Sequence, residues 1–128
     1  MDTIANMLTS IVNGQAAGKQ RVAVPHSRFK ERLAELLVAT GKLASARVQE
    51  GPRPKLILTL AYNDAGQAAI GGMKRLSTPG RRRYAGSHNI PFSLDGVGSV
   101  IVSTPQGLME GKTARQKGLG GELICEIW

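Results

Sequence analysis

The periodicity of the apolar residues changes half-way along this chain, and that change limits the folds open to it. Ile4, Met7, Leu8, Ile11 and Val12 recur at helical spacing, as do Phe29, Leu33, Leu36 and Leu37. Asp2 or Thr3 caps the first of these helices, and Gly14 and Gly18 bracket its end. Ser27 opens the second and Gly41 closes it. Between and after them lie segments of strand character. Arg21–Val24 is stopped by Pro25, Leu43–Glu50 ends at the turn Gly51-Pro52-Arg53-Pro54, and Lys55–Tyr62 is apolar on both faces, as a central strand would be. The order α-β-α-β-β makes a small two-layer lobe over residues 1–64, with its boundary in the turn-like stretch Asn63–Gly66.

Past that boundary the helical stripe disappears. Ile70–Ser77 and Arg82–Ala85 read as short strands around Thr78-Pro79-Gly80, and Val97–Ser103 and Leu123–Trp128 as two more. Helix is limited to a turn within Asn89–Leu94 and another within Thr113–Lys117. Seven of the 16 glycines fall between Gly96 and Gly121, a density that signals tight turns and close backbone approach. The expected fold is therefore α/β in the α+β sense. It has two small lobes: the α-β-α-β-β unit, and a mostly β lobe with short helices over 65–128.

Charge separates the function classes. Lys plus Arg outnumber Asp plus Glu by 17 to 9, a net +8 over 128 residues. Such a surplus draws polyanions, meaning nucleic acid or an anionic membrane. The membrane reading is weak. No apolar run approaches the ~20 residues a spanning helix needs, and Asp2 stands where a signal peptide would carry basic residues. Cys125 is the only cysteine, so no internal disulfide is possible, and its place in an apolar strand suits a small buried hydrophobe. With His26 and His88 the only histidines, a Cys/His zinc site is excluded, and no metal or cofactor is expected.

No acid occurs between Asp64 and Asp95, whereas Lys74, Arg75, Arg81, Arg82 and Arg83 all do. A hairpin carrying these cations suits phosphate, which arginine binds through two parallel N–H groups. A second basic set lies in the first lobe: Lys19, Arg21, Arg28, Lys30 and Arg32. Ser27, Arg28 and Lys30 open a helix, where free N–H groups favour an anion. Simple capping by Ser27 is equally compatible, as is pairing of Lys30 with Glu31 and Glu35.

Catalysis finds no support. Ser103 and His88 lack a nucleophile elbow, Gly118-x-Gly120-Gly121 precedes a strand instead of opening a helix, and Glu122 has no second carboxylate near it. The same groups suit RNA. Ser103, Thr104 and Glu122 offer hydroxyls and a carboxylate for base edges and 2′-OH groups, and Gly120-Gly121 offers bare backbone. A glutamate in a basic site repels phosphate. Three roles stay open for Glu122: reading a base, organising nearby donors, or an ordinary strand-end position.

These residues resemble one family nearly end to end, the bacterial-type small-subunit ribosomal protein eight. The opening Asp2-Thr3-Ile4-Ala5-Asn6-Met7-Leu8-Thr9 with Asn13-Gly14-Gln15 is similar to its first helix, and Pro25-His26-Ser27-Arg28-Phe29-Lys30 to its strand-to-helix entry. Arg75-Leu76-Ser77-Thr78-Pro79-Gly80-Arg81-Arg82-Arg83-Tyr84 resembles its central hairpin. Gly96-Val97-Gly98, Val102-Ser103-Thr104, Gly107-Leu108-Met109, Ala114-Arg115 and Gly118-Leu119-Gly120-Gly121-Glu122 resemble its closing block.

The resemblance implies a non-catalytic protein that binds the central domain of small-subunit rRNA and supports early assembly. It implies a monomer within the ribosome beside neighbouring small-subunit proteins. It places the main rRNA contact on Tyr84, Ser103, Thr104, Gly120, Gly121 and Glu122, beside the arginines Arg81, Arg82 and Arg83. A lesser contact falls on Thr3, Asn13, Ser27 and Lys30, with Arg28 next to them. A translational repressor or assembly factor acting off the ribosome is the alternative. The family start suggests a bacterial cytoplasmic ribosome, with a mitochondrial or other organellar one as the alternative. One departure stands out: where the family has Ser-Thr-Ser, this chain has Ser103-Thr104-Pro105, and Pro105 brings neither hydroxyl nor N–H.

Overall fold

The computed structural model describes residues 2–91 and 98–128. Backbone contacts divide the chain into two units, Thr3–Ile70 and Met1–Asp2 with Gly71–Trp128. The first contains helix α1 (Thr3–Ala16), strand β1 (Arg21–Pro25), helix α2 (Arg28–Ala39) and strands β2 (Leu43–Gln49) and β3 (Lys55–Leu60). The three strands form an antiparallel sheet in the order β1-β3-β2. β3 is central, as its apolar character predicts, but only Leu56, Leu58 and Leu60 are buried, and Ile57 and Thr59 are half-buried. Both helices pack on the sheet through apolar stripes, Met7, Leu8 and Ile11 from α1 and Leu33, Ala34 and Leu37 from α2. Gly41 follows α2 at φ +79°, the left-handed conformation that favours glycine at a helix end. Pro25 is accommodated because β1 is an edge strand, where a missing N–H breaks no second ladder.

The second unit is built around its last strand. β4 (Met73–Arg75), β5 (Tyr84–Ala85), β6 (Ser99–Thr104), β7 (Gly107–Glu110) and β8 (Gly121–Ile127) form one antiparallel sheet, with helix α3 (Gly111–Gln116) between β7 and β8. β8 pairs with β6 on one side and with both β4 and β5 on the other. Its residues Leu123 to Ile127 are accordingly all buried. Ile90, Val100, Val102, Met109, Ala114 and Leu123 form a continuous apolar cluster.

Several expectations are refined. The strand expected over Ile70–Ser77 is only three residues, because Gly71 and Gly72 instead donate to the Trp128 carbonyl. The stretch after Thr104 is a strand, β7, with a two-residue turn at Pro105-Gln106, where the sequence suggested only a turn. The helical turn expected over Asn89–Leu94 lies partly outside the described residues, as does the expected strand start at Val97. No described helix is long and apolar enough to cross a membrane.

Candidate nucleic-acid interface

Strand register assembles the C-terminal candidates. Glu122 on β8 lies directly opposite Tyr84 on β5 and Ser103 on β6. Residues opposite one another on antiparallel strands project from the same face. Tyr84, Glu122 and Ser103 therefore form one row, about 10 Å across at the usual strand spacing. Tyr84 is 70% exposed, a large aromatic left in solvent at the outer end of the row. The Ser103 hydroxyl makes no hydrogen bond among the described residues.

Thr104 differs. It is buried, its Oγ1 donates to the Gly107 carbonyl at 2.8 Å, and the same oxygen accepts from the Gln106 N–H at 3.1 Å. Its hydrogen and one lone pair hold the β6–β7 turn, which leaves one acceptor lone pair. Pro105, exposed at the second position of that turn, fits a site where its fixed φ suits the backbone and no N–H is needed.

The glycines also have structural work. A Cβ on Gly121 would fall onto the Ser103 carbonyl oxygen and 2.8 Å from its carbon. One on Gly120 would fall onto the Ala85 carbonyl and 2.8 Å from the Gly86 Cα. Only glycine lets β8 pass this close to both neighbours.

The arginine hairpin turns at Thr78–Arg81, whose N–H and carbonyl groups pair reciprocally at 3.0 Å. Arg82 Nη1 donates to Glu122 Oε2 at 3.0 Å. Fully buried Ser77 donates its hydroxyl to that same oxygen at 2.6 Å and accepts the Arg83 N–H at 3.1 Å. Glu122 thus organises the hairpin. Arg81 and Arg83 are exposed, and their guanidinium groups pair with nothing among the described residues. Beside them opens a groove of about 610 Å³ lined by the three arginines, Tyr84, Asn89 and Pro91, among others. Arg75 is withdrawn from this set: Nε pairs with Asp2 at 3.1 Å and Nη1 donates to the Ile124 carbonyl at 2.6 Å. Burial pushes the Cys125 thiol up to about 12, partly offset by Arg75, so it is no nucleophile at neutral pH.

The N-terminal candidates are spread over two helices. Thr3 and Asn13 are exposed on α1, and Arg28 is exposed at the start of α2. Ser27 is the N-cap, its hydroxyl accepting the Lys30 N–H at 3.2 Å, and His26 pairs with Glu31 at 2.7 Å beside it. Lys30 lies on the core-facing stripe with Leu33, Ala34 and Leu37, only 4% exposed, and burial lowers its pKa.

Sequence reasoning missed Ser77. In a Ser-Thr-Pro-Gly run a serine reads as a turn former, and only its burial between Glu122 and Arg83 reveals another task. Among the described residues no cluster of metal-ligating side chains forms.

The chain is similar to known proteins over nearly its whole length. The family model for Ribosomal protein S8 matches residues 2–128. The small ribosomal subunit protein uS8 of Desulfovibrio desulfuricans is 46% identical over 127 residues, covering 99% of this chain and 98% of that one. Those of Sorangium cellulosum and Rubrobacter xylanophilus are 46% and 41% identical over 128 residues, covering 99% of this chain and 98% and 97% of theirs.

Proposed function

This chain belongs to the ribosomal protein S8 family, and from that premise we infer that it is a structural, non-catalytic constituent of the small ribosomal subunit, associated with small-subunit rRNA in the bacterial cytoplasm. The relatives are named as small-subunit proteins and come from bacteria, which does not favour an off-ribosome role. The finer reading is that the chain binds the central domain of that rRNA directly, supports its early assembly, and lies against neighbouring small-subunit proteins. Its principal rRNA surface is the row Tyr84–Glu122–Ser103 with the arginine hairpin beside it. The row carries this reading: it puts an exposed aromatic, a fixed carboxylate and a hydroxyl with no hydrogen bond among the described residues on one sheet face, next to two arginines that are unpaired among those residues. Stacking, polar readout and phosphate attraction are the three contributions that RNA recognition combines. Thr3, Asn13 and Arg28 supply a lesser contact from the first unit, with Ser27 and Lys30 supporting the start of α2.

The test is binding of the purified protein to a transcript of the central domain, with poly(U) as competitor. Specific binding and co-sedimentation with small subunits at moderate salt are expected. Binding no tighter to the transcript than to poly(U) would refute the direct contact.

A further inference from the structure

The two oxygens of Glu122 are treated differently by the fold. Oε2 accepts from both Ser77 and Arg82. Oε1 accepts from nothing among the described residues. The side chain as a whole is 19% exposed. A carboxylate clamped by one oxygen has little rotational freedom left. Its other oxygen therefore points in a fixed direction from the sheet face that also carries exposed Tyr84 and Ser103.

We propose that Ser77 and Arg82 lock Glu122 so that Oε1 is a single, preoriented acceptor for a hydrogen-bond donor on the bound RNA, which makes buried Ser77 a specificity-positioning residue. A carboxylate among arginines contributes nothing to phosphate attraction, and it repels any group that cannot donate. It therefore selects for a donor: an exocyclic amine of a base or a ribose 2′-OH. Ser77 never touches the RNA. It acts by fixing the carboxylate and, through the Arg83 N–H, the hairpin that bears Arg83. This deepens the function proposed above and rests on it.

Glu122→Gln is the informative variant because it keeps size and shape. The amide carbonyl takes over the donation from Ser77 and Arg82, which turns an NH2 donor outward where an acceptor stood. Specific binding to the central-domain transcript should fall roughly ten- to hundredfold, as expected for a hydrogen bond to a charged group, with the poly(U) affinity and melting temperature nearly unchanged. Ser77→Ala should lower the ratio of specific to poly(U) binding about tenfold, and the double variant should lose less than the product of the two, because both act through one contact. Transcripts bearing 2′-deoxy sugars, or purines and cytosines replaced by analogues without the exocyclic amine, separate the two donor sources. The modification that weakens wild-type binding but leaves Glu122→Gln binding unchanged marks the donor.

A folded Ser77→Ala protein with the wild-type ratio would overturn the inference. So would Glu122→Gln binding at wild-type strength, and that result decides the matter if Ser77→Ala fails to fold. If no modified position closes the gap between wild type and Glu122→Gln, no RNA donor meets the carboxylate and the inference falls. Wild-type protein that prefers no rRNA would instead refute the function proposed above, and the inference with it.

Discussion

Replacing Gly121 with alanine separates two explanations of the glycine pair. If the glycines exist to let RNA approach, Gly121→Ala should fold normally and bind RNA poorly. The structure predicts the reverse order of damage. The added carbon would sit 2.8 Å from the Ser103 carbonyl carbon and onto its oxygen. Carbon atoms pack best at about 3.5–4.0 Å, so β6 and β8 must separate by roughly 0.7–1.2 Å. Overpacking of that kind costs about 1–3 kcal/mol. Loosening the Ser103–Glu122 pair weakens hydrogen bonds of about 1 kcal/mol each. Together they give roughly 2–4 kcal/mol, which at about 4 °C per kcal/mol for a chain of this size lowers Tm by about 8–16 °C. Gly86 is the control: a Cβ there meets nothing within 4 Å and its φ is ordinary. Gly86→Ala should leave Tm unchanged or slightly raised by the lower entropy of the unfolded chain. Thermal melts followed by circular dichroism give the comparison directly. A Gly121→Ala protein melting within about 2 °C of wild type would refute the close-packing argument and return the glycine to an RNA role.

Further outcomes follow from the same geometry. Replacing exposed Arg81 and Arg83 with Gln should flatten the salt dependence of RNA binding, by about one in log–log slope for each phosphate the protein no longer neutralises. Arg82→Gln, whose partner is Glu122, should change the slope less and the specificity more. Pro105→Ser should cost about 0.4–1 kcal/mol in a urea melt, because proline restricts the unfolded chain at a turn position it already fits. Cys125 should resist a thiol reagent at pH 8 until the protein is denatured. Its folded pKa is raised from 9.0 to about 12, so the stability it contributes is fully present below pH 9 and is lost as pH rises toward 12. Reaction of the native thiol at the rate of the denatured one would contradict its burial.

The elements legible in the sequence were those with strong periodicity. The two helices and the three strands of the first unit were readable because burial imposes a period of 3.6 or 2, and the basic hairpin because its cations stand in a stretch without acids. What escaped were contacts made across strands far apart in sequence. Glu122 had three roles open to it, and nothing near it in the chain chooses between them. Its partners Ser77 and Arg82 are 45 and 40 residues away. Thr104 read as a hydroxyl for RNA, and its Oγ1 also donates and accepts within the turn it starts, which the sequence did not show. Lys30 looked like a surface cation because charge was read without helix phase; with Leu33, Ala34 and Leu37 it shares the buried stripe. The Trp128 ring lies against Gly72, where a Cβ would come within 2.6 Å of it, another contact between residues far apart in sequence.

The most direct test is a cryo-electron microscopy map of the small subunit containing this protein. The account predicts rRNA within hydrogen-bond reach of Glu122 Oε1 and the Ser103 hydroxyl, with the Tyr84 ring against a base or ribose. A map in which that row faces solvent, or only another protein, would contradict it.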